Sequence, residues 1–238
     1  NKIKSSKLKI VVDGIKSTGG IAVPYLLERL DVEVVKLNCE PDGNFIHDPE
    51  PLEKNLVGLS NSVVKNSANL GIAVDPDVDR LAFIDEKGTY FGEEYTLVAC
   101  ADYVLNKNSG PTVSNLSSTK ALRELTEFRG CNYFYSAVGE VNVVEMMKNK
   151  NAVIGGEGNG GVILPSIHYG RDALIGIALF LSHLVEKSSS VSNLRKQYPS
   201  YYIAKKKMNI TNVSFDEVFK KLKLEFLDCE IIEIDGLK

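Results

Sequence analysis

The chain has 238 residues, of which 44% are hydrophobic and 25% are charged, and its net charge is −3. This composition is typical of a globular protein with one large domain or two ordinary ones. A charge so close to balance argues against a nucleic-acid partner. No apolar run reaches the length of a membrane span, and residues 1–4 are too polar for a signal peptide, so we expect no membrane partner and a cytoplasmic location.

The cysteines carry no signature of a metal or disulfide framework. The chain has four cysteines, which are widely spaced and form no C-x-x-C pair: Cys39, Cys100, Cys131 and Cys229. A zinc site or a small disulfide-stabilised domain is usually marked by closely spaced cysteine pairs. We therefore predict neither a zinc site nor a disulfide framework.

Apolar runs of strand length alternate with segments of helical period in the first part of the chain. This alternation is typical of an α/β layer fold. The predicted strands cover residues 9–13, 32–37 and 70–74, with a hairpin over 80–85 and 89–91. The predicted helices cover residues 21–30, 52–64 and 93–105.

A polar stretch with glycine and proline at residues 106–111 predicts a domain boundary, and a second α/β unit follows it. Its predicted strands cover residues 112–114, 133–135 and 152–154. Its predicted helices cover residues 120–128, 141–148, 172–186 and 191–197, with Asp172 as an N-cap. Residues 201–238 change character, with a predicted helix over 215–222 and a strand over 229–234, and they are too few to bury a core alone.

Three carboxylates lie between two apolar runs that we predict to be strands. Asp75, Asp77 and Asp79 alternate along the chain, and Arg80 follows them directly. Oxygen ligands at this spacing can converge on one hard cation such as Mg²⁺ or Ca²⁺. The guanidinium brings donors that suit a phosphate or carboxylate, so the loop predicts a cation and an anion bound together.

Other families use similar acidic loops, and two of them fit poorly here. An EF-hand would place Glu86 at its last ligand position, but Arg80 stands where that loop needs glycine and strands replace its helices. A haloacid-dehalogenase-like phosphatase would use Asp75 as a nucleophile, but Asp79 stands where threonine or valine is expected. A sugar-binding or Ca²⁺-binding module without enzymatic activity remains an alternative.

A glycine-rich segment follows the predicted strand at 152–154 and spans residues 155–161. Its glycines allow close approach to the backbone, while Glu157 and Asn159 can hydrogen-bond a hydroxyl-rich ligand such as a sugar. The spacing also matches the dinucleotide fingerprint, but a strand-like stretch and Pro165 follow where that motif needs a helix. A flexible turn is the remaining alternative.

Smaller candidates accompany the two loops. His168 and Arg171 follow the glycine-rich segment and are candidate ligand contacts. Glu140 is either a helix cap or a site carboxylate. Residues 13–20 form an anion-binding or a structural turn, and His47 is a surface histidine in a loop.

The two loops, in this order and at this separation, resemble the α-D-phosphohexomutase superfamily of phosphoglucomutases, phosphomannomutases and phosphoglucosamine mutases. Residues 75–80 are similar to its D-x-D-x-D-R magnesium loop, and residues 156–161 to its G-E-x-S-G-H sugar loop. Residues 13–20 and 41–44 are similar to segments of the family's second domain. The resemblance implies two consecutive three-layer α/β domains with mixed sheets, at 1–107 and 108–200, and a partial α+β C-terminal segment over 201–238 that starts the fourth domain.

The resemblance also implies an activity and roles for the site residues. The family interconverts hexose 1-phosphate and 6-phosphate of glucose, mannose or glucosamine through a phosphoserine and a bisphosphate. The implied metal ligands for Mg²⁺ are Asp75, Asp77 and Asp79, and the implied catalytic residues are Arg80 and Glu140. The implied substrate contacts are Glu157, Asn159, His168 and Arg171.

The phosphoserine loop belongs to the family's first domain and a phosphate-binding loop to its fourth. We therefore expect a fragment that is inactive alone, whose partners are a phosphorylated hexose, its bisphosphate and the missing first and fourth domains of the parent chain. The sequence also departs from the family pattern, because Asn159 replaces serine, Gly161 replaces histidine, and Glu140 stands where many members carry histidine. These departures leave the general acid and base, and the preferred sugar, open.

Overall fold

The first sheet has four strands in the order β2-β1-β3-β4. The computed structural model describes residues 2–203, 209, 214–229 and 231–237. Strands β1 (Lys9–Asp13), β2 (Glu33–Leu37) and β3 (Leu70–Val74) are parallel, and β4 (Leu81–Asp85) returns antiparallel to β3. The helices before β4 are α1 (Lys2–Ser5), α2 (Gly19–Arg29), a 3-10 helix (Glu53–Asn55) and α3 (Val57–Lys65).

The second sheet repeats the same topology, with its strands in the order β6-β5-β7-β8. Its strands are β5 (Thr112–Asn115), β6 (Tyr133–Ser136), β7 (Ile154–Gly156) and β8 (Val162–Ile163), of which β8 alone runs antiparallel to its neighbour. The helices from β4 onward are α4 (Glu93–Lys107), α5 (Lys120–Phe128), α6 (Glu140–Lys150), α7 (Ala173–Glu186) and α8 (Val191–Arg195). The acidic loop and the glycine-rich segment therefore occupy equivalent places, each between the third and fourth strand of a sheet.

Alternation along the strands sends side chains to opposite faces of each sheet. In the first sheet Val11 and Ala73 pack on α3, whereas Ile10 and Ile72 belong to the large core that includes α2, α4 and α7. In the second sheet Val113 and Ile163 pack on α6, and the other face joins the same large core. Both sheets are thus the middle layer of an α/β/α sandwich, as predicted.

One apolar core joins the two sandwiches. Helices α4 and α7 pack on each other, and residues of both sheets lie in the same buried cluster. Phe83 of β4 stacks on Phe180 of α7 with 3.8 Å between ring centroids, and Phe91 meets Phe180 edge to face. This shared core holds the two loops in a fixed relation, and the boundary after residue 107 stays a prediction.

A buried polar network lies beside this core. Asp102 of α4 pairs with Arg129, and its Oδ2 lies 3.1 Å from Nε2 of His183 and accepts a hydrogen bond from Tyr198 at 3.3 Å. Burial acts to raise the pKa of Asp102, but His183 and Arg129 outweigh it and lower the pKa to about 2. The carboxylate is therefore charged and paired inside the fold.

Several predicted elements differ in the structure. Residues 89–91 form only an isolated bridge at Tyr90 rather than a strand. The helix predicted over 52–64 is divided, because Leu52 is extended and the 3-10 turn precedes α3. Among the described residues of 229–234 there is no strand.

Residues 201–238 lie partly outside the part of the chain that the structure describes. Helix α9 (Phe215–Glu225) covers the helix predicted over 215–222 and buries none of its side chains. The assignment of this segment to a fourth domain stays a prediction. No helix among the described residues has the length and apolarity needed to cross a membrane.

Candidate active site

The acidic loop leaves β3 at Asp75 and enters β4 after Arg80. Asp75 is buried, and its Oδ1 accepts the backbone N–H groups of Asp79 and Arg80, each at 3.0 Å. Val78 has φ of +61°, which is rare for a β-branched residue and marks stored backbone strain. Its carbonyl accepts the N–H of Ala173 at 3.0 Å, so the loop is tied to the start of α7.

The three carboxylates of this loop fit a divalent cation. One oxygen from each of Asp75, Asp77 and Asp79 lies within 4.8 Å of the others. Oδ1 of Asp79 is buried and has no hydrogen-bond partner, which is costly unless something else satisfies it. Burial, followed by the hydrogen bond and charge of Asp75, raises the pKa of Asp79 to about 6.

Arg80 is shared between the acidic loop and a neighbouring segment. Its Nη1 lies 3.1 Å from Oε1 of Glu50, and its Nε lies 3.6 Å from Oδ2 of Asp75. Glu50 lies in a loop and belongs to no motif, so its contact with Arg80 could not be predicted from the sequence. The guanidinium therefore stays at the edge of the cation site, held from outside by this carboxylate.

The turn at residues 13–20 supports the acidic loop directly. The hydroxyls of Ser17 and Thr18 both donate to the carbonyl of Pro76, at 3.0 and 2.6 Å. Asp13 accepts the N–H of Ile15 at 3.0 Å, and its other oxygen lies 3.3 Å from Nε2 of His47. Of the two predicted roles for this turn, these contacts favour the structural one.

Glu157 of the glycine-rich segment is buried and accepts hydrogen bonds from three neighbours. Its Oε1 accepts from Nδ2 of Asn115 at 2.7 Å and from the N–H of Gly139 at 3.2 Å. Its Oε2 accepts from Nη1 of Arg171 at 2.7 Å. Asn115 was missed from the sequence, although its place at the carboxyl end of a parallel strand could have indicated it.

The glycine-rich segment presses against the strand that follows the acidic loop. Gly160 has φ of +88°, and a Cβ there would come under 3.0 Å from the carbonyl oxygen of Leu81. Oδ1 of Asn159 accepts the N–H of Gly161 at 3.1 Å, so part of this amide holds the loop itself. The glycines are thus needed for packing as well as for access.

Arg171 joins the two loops. Its Nη2 pairs with Asp79 of the acidic loop, while Nη1 pairs with Glu157. Its backbone N–H donates to Oε1 of Glu140 at 2.8 Å, and its Nε lies 3.5 Å from the other oxygen of that carboxylate. Glu140 opens α6 without capping it, since Gly139 is the N-cap residue.

His168 lies apart from this network. Its Nε2 lies 3.0 Å from Oδ2 of Asp172. The other oxygen of Asp172 accepts the N–H of Ile175 at 3.0 Å, which confirms it as the N-cap of α7. A ligand contact for the exposed His168 stays a prediction.

Two family models match the chain. One is described as "Phosphoglucomutase/phosphomannomutase, alpha/beta/alpha domain II" and covers residues 1–88; the other is domain III of the same family and covers residues 92–202. The chain belongs to the phosphoglucomutase/phosphomannomutase family. The family resemblance inferred from the two loops is therefore confirmed.

Relatives and solved structures agree with this assignment. A protein named phosphoglucomutase/phosphomannomutase from Thermococcus kodakarensis is 35% identical over 87% of this chain and 46% of its own length. A "Probable phosphoglucosamine mutase" from Methanosarcina barkeri is 34% identical over 99% of this chain and 54% of its own. A crystal structure of a family member from Burkholderia thailandensis is 26% identical, with a TM-score of 0.82 over 99% of this chain and 53% of its own. The chain thus spans about half the length of the curated relatives it matches.

Proposed function

We propose that the chain is the central part of a Mg²⁺-dependent phosphohexomutase, which interconverts hexose 1-phosphate and hexose 6-phosphate through a phosphoserine and a bisphosphate intermediate. Arg171 carries this proposal, because it places Asp79 of the acidic loop beside Glu157 of the glycine-rich segment. A cation site beside a hydroxyl-binding site is the arrangement that phosphoryl transfer to a sugar requires.

Asp75, Asp77 and Asp79 would hold the cation, as the close approach of their oxygens and the unsatisfied Oδ1 of Asp79 support. Bound Mg²⁺ supplies positive charge that neutralises a phosphoryl group during transfer. Arg80 adds a permanent charge at the edge of the same site, where Glu50 limits its movement.

Glu157 and Asn159 would bind the sugar hydroxyls. A carboxylate offers about four lone-pair sites, and the three hydrogen bonds to Glu157 leave room for about one hydroxyl donor. The amide nitrogen of Asn159 has two donors without a partner among the described residues. Glu140 is the proposed proton-transfer residue, since its carboxylate reaches the junction from α6.

We place the nucleophilic serine and the phosphate clamp in family domains outside this chain, in keeping with its coverage of about half of each relative. The chain alone should therefore bind ligands without turning them over. We also propose that the protein is located in the cytoplasm.

Calorimetry of the 238-residue chain tests the site. We expect Mg²⁺ to bind, and glucose, mannose or glucosamine 6-phosphate, titrated side by side, to bind in its presence. Asp77→Asn should abolish Mg²⁺ binding with little change in stability, because Asp77 is exposed and its loss leaves the backbone contacts of Asp75 intact. Asp31→Asn, an exposed aspartate paired with Lys4 outside the loops, is the matched control.

Three results would contradict the proposal. Mutase turnover by the chain alone would show that the nucleophile lies within it. A strong preference for Ca²⁺ over Mg²⁺ would favour a binding module instead. Hydrolysis of a generic phosphate ester that is lost in Asp75→Asn would favour a phosphatase.

A further inference from the structure

The junction between the two loops carries more negative than positive charge. Its carboxylates are Asp75, Asp77, Asp79, Glu140 and Glu157, and its cationic side chains are Arg80 and Arg171. Asp79 has two roles in this junction: it pairs with Arg171, and it is one of the three carboxylates that could bind the cation. Nη2 of Arg171 takes Oδ2 of Asp79, whereas Oδ1 has no hydrogen-bond partner, so a cation on Oδ1 would withdraw negative charge from the carboxylate and weaken its pairing with Arg171.

Most of Arg171 is fixed and cannot withdraw from the junction. Its backbone N–H is held by Glu140, and its Nη1 is held by Glu157. Its aliphatic stem passes over Gly161, where a Cβ would come under 3.0 Å from Cδ of the arginine. Only the edge of the guanidinium formed by Nε and Nη2 is able to change partner.

That edge is suited to an anion with two oxygens. Nε of Arg171 is buried without a hydrogen bond, and Nη2 is the donor that a cation at Asp79 would release. Neighbouring guanidinium N–H groups bind two phosphate oxygens at once, and the resulting charge-assisted hydrogen bonds are strong. Oε2 of Glu140 lies 3.5 Å from Nε without forming a hydrogen bond, so a closer acceptor at Nε would lower the free energy of this buried group.

We infer that Arg171 is a positioning residue that exchanges partners: it pairs with Asp79 when the acidic loop holds no cation, and with a phosphate monoester when a cation takes Asp79. The inference rests on the proposed function, because it needs a cation at the acidic loop and a phosphorylated ligand at the junction. It makes the binding of cation and phosphate mutually favourable through this side chain. By linkage, each ligand tightens the other by the same factor.

The affinity of the chain for Mn²⁺, read from the free ion by electron paramagnetic resonance, measures this coupling. The test is a titration with Mn²⁺ alone and with Mn²⁺ in the presence of saturating glucose 6-phosphate, inorganic phosphate or glucose. For the unsubstituted chain we expect both phosphates to tighten Mn²⁺ binding by about fivefold or more, the lower end of typical coupling. Glucose, which lacks the phosphate, should leave Mn²⁺ affinity unchanged.

Two substitutions separate the charge of Arg171 from its forked geometry. In Arg171→Met the affinity for Mn²⁺ alone should rise, since Asp79 is no longer paired. Added phosphate should then leave the Mn²⁺ affinity unchanged. Arg171→Lys keeps the charge without the fork and should retain only part of the coupling. Arg29→Met, at the end of α2 where the arginine lies over Tyr25, is the matched control and should behave like the unsubstituted chain.

Gly161→Ala provides a second route that leaves every charge in place. The added methyl group pushes against the stem of Arg171, so the coupling should fall here too, and adding Arg171→Met should lower it no further. Circular dichroism establishes that each variant is folded.

Coupling that survives in folded Arg171→Met would overturn the exchange of partners while leaving the proposed cation and sugar site intact, because the phosphate would then meet the cation directly. Independent effects of the Gly161 and Arg171 substitutions would also overturn it. Failure of the unsubstituted chain to bind Mn²⁺ would overturn both this inference and the proposed function.

Discussion

Gly160→Ala tests whether the glycine-rich segment is held by contact with the first sheet. The backbone of Gly160 has φ of +88°, a conformation that costs a residue with a Cβ roughly 1 kcal/mol. The new methyl group would also come under 3.0 Å from the carbonyl oxygen of Leu81, and relief of such overpacking costs about 1–3 kcal/mol. We therefore expect the free energy of unfolding to fall by about 2–4 kcal/mol.

Urea unfolding followed by circular dichroism measures this loss of stability. Alanine substitutions at two other glycines provide the comparison. Gly130 has φ of +69° with nothing within 4 Å of an added Cβ, so Gly130→Ala should cost only about 1 kcal/mol of strain. Gly58 lies in α3 in open space, so Gly58→Ala should stabilise the chain by about 0.5–1 kcal/mol. If Gly160→Ala costs no more than Gly130→Ala, the packing of the segment against Leu81 is not a stabilising contact.

Three further outcomes are expected. Burial raises the pKa of Cys100, and Cys229 is exposed, so mass spectrometry should find Cys229 alkylated first and Cys100 only on unfolding; equal rates would contradict this. The pKa of Asp102 is lowered to about 2, against about 3.9 in an unfolded chain, so its charge stabilises the fold by about 2–3 kcal/mol above pH 4. This contribution should vanish as the pH falls towards 2, and acid unfolding of Asp102→Asn should lack that part of the pH dependence. Finally, the pKa of Asp79 is raised to about 6, so protons compete with the cation and the rise in Tm caused by Mg²⁺ should shrink as the pH falls through 6; a rise independent of pH from 5 to 7.5 would refute this.

Both loops could be predicted because their chemistry is local in the sequence. Asp75, Asp77 and Asp79 are close together along the chain, and the runs on either side are apolar enough to be strands, so the spacing alone indicates convergence on a cation. The glycine-rich segment follows a buried strand in the same way. Such patterns depend only on residues that are neighbours in the sequence, so they can be recognised without knowledge of the fold.

Contacts between distant parts of the chain could not be predicted from those patterns. Arg171 was identified as a ligand contact, but its pairing with Asp79 depends on how two sheets are placed relative to each other. Glu50 and Asn115 have no motif, and each gains its role only from an unrelated residue that the fold brings near. Residues 89–91 and the described residues of 229–234 do not form the predicted strands, because an apolar run of strand length becomes a strand only where its backbone pairs regularly with a neighbour.

The repeated topology accounts for the meeting of the two loops. In each sheet the chain leaves the third strand and returns by an antiparallel fourth strand, so the loop between them is short and anchored in the sheet at both ends. Because α4 and α7 share one core with both sheets, these two anchored loops cannot drift apart without opening that core. A single side chain, Arg171 at the entry to α7, can then bridge them, and the same rigidity leaves its guanidinium edge as the part of the junction that is able to move.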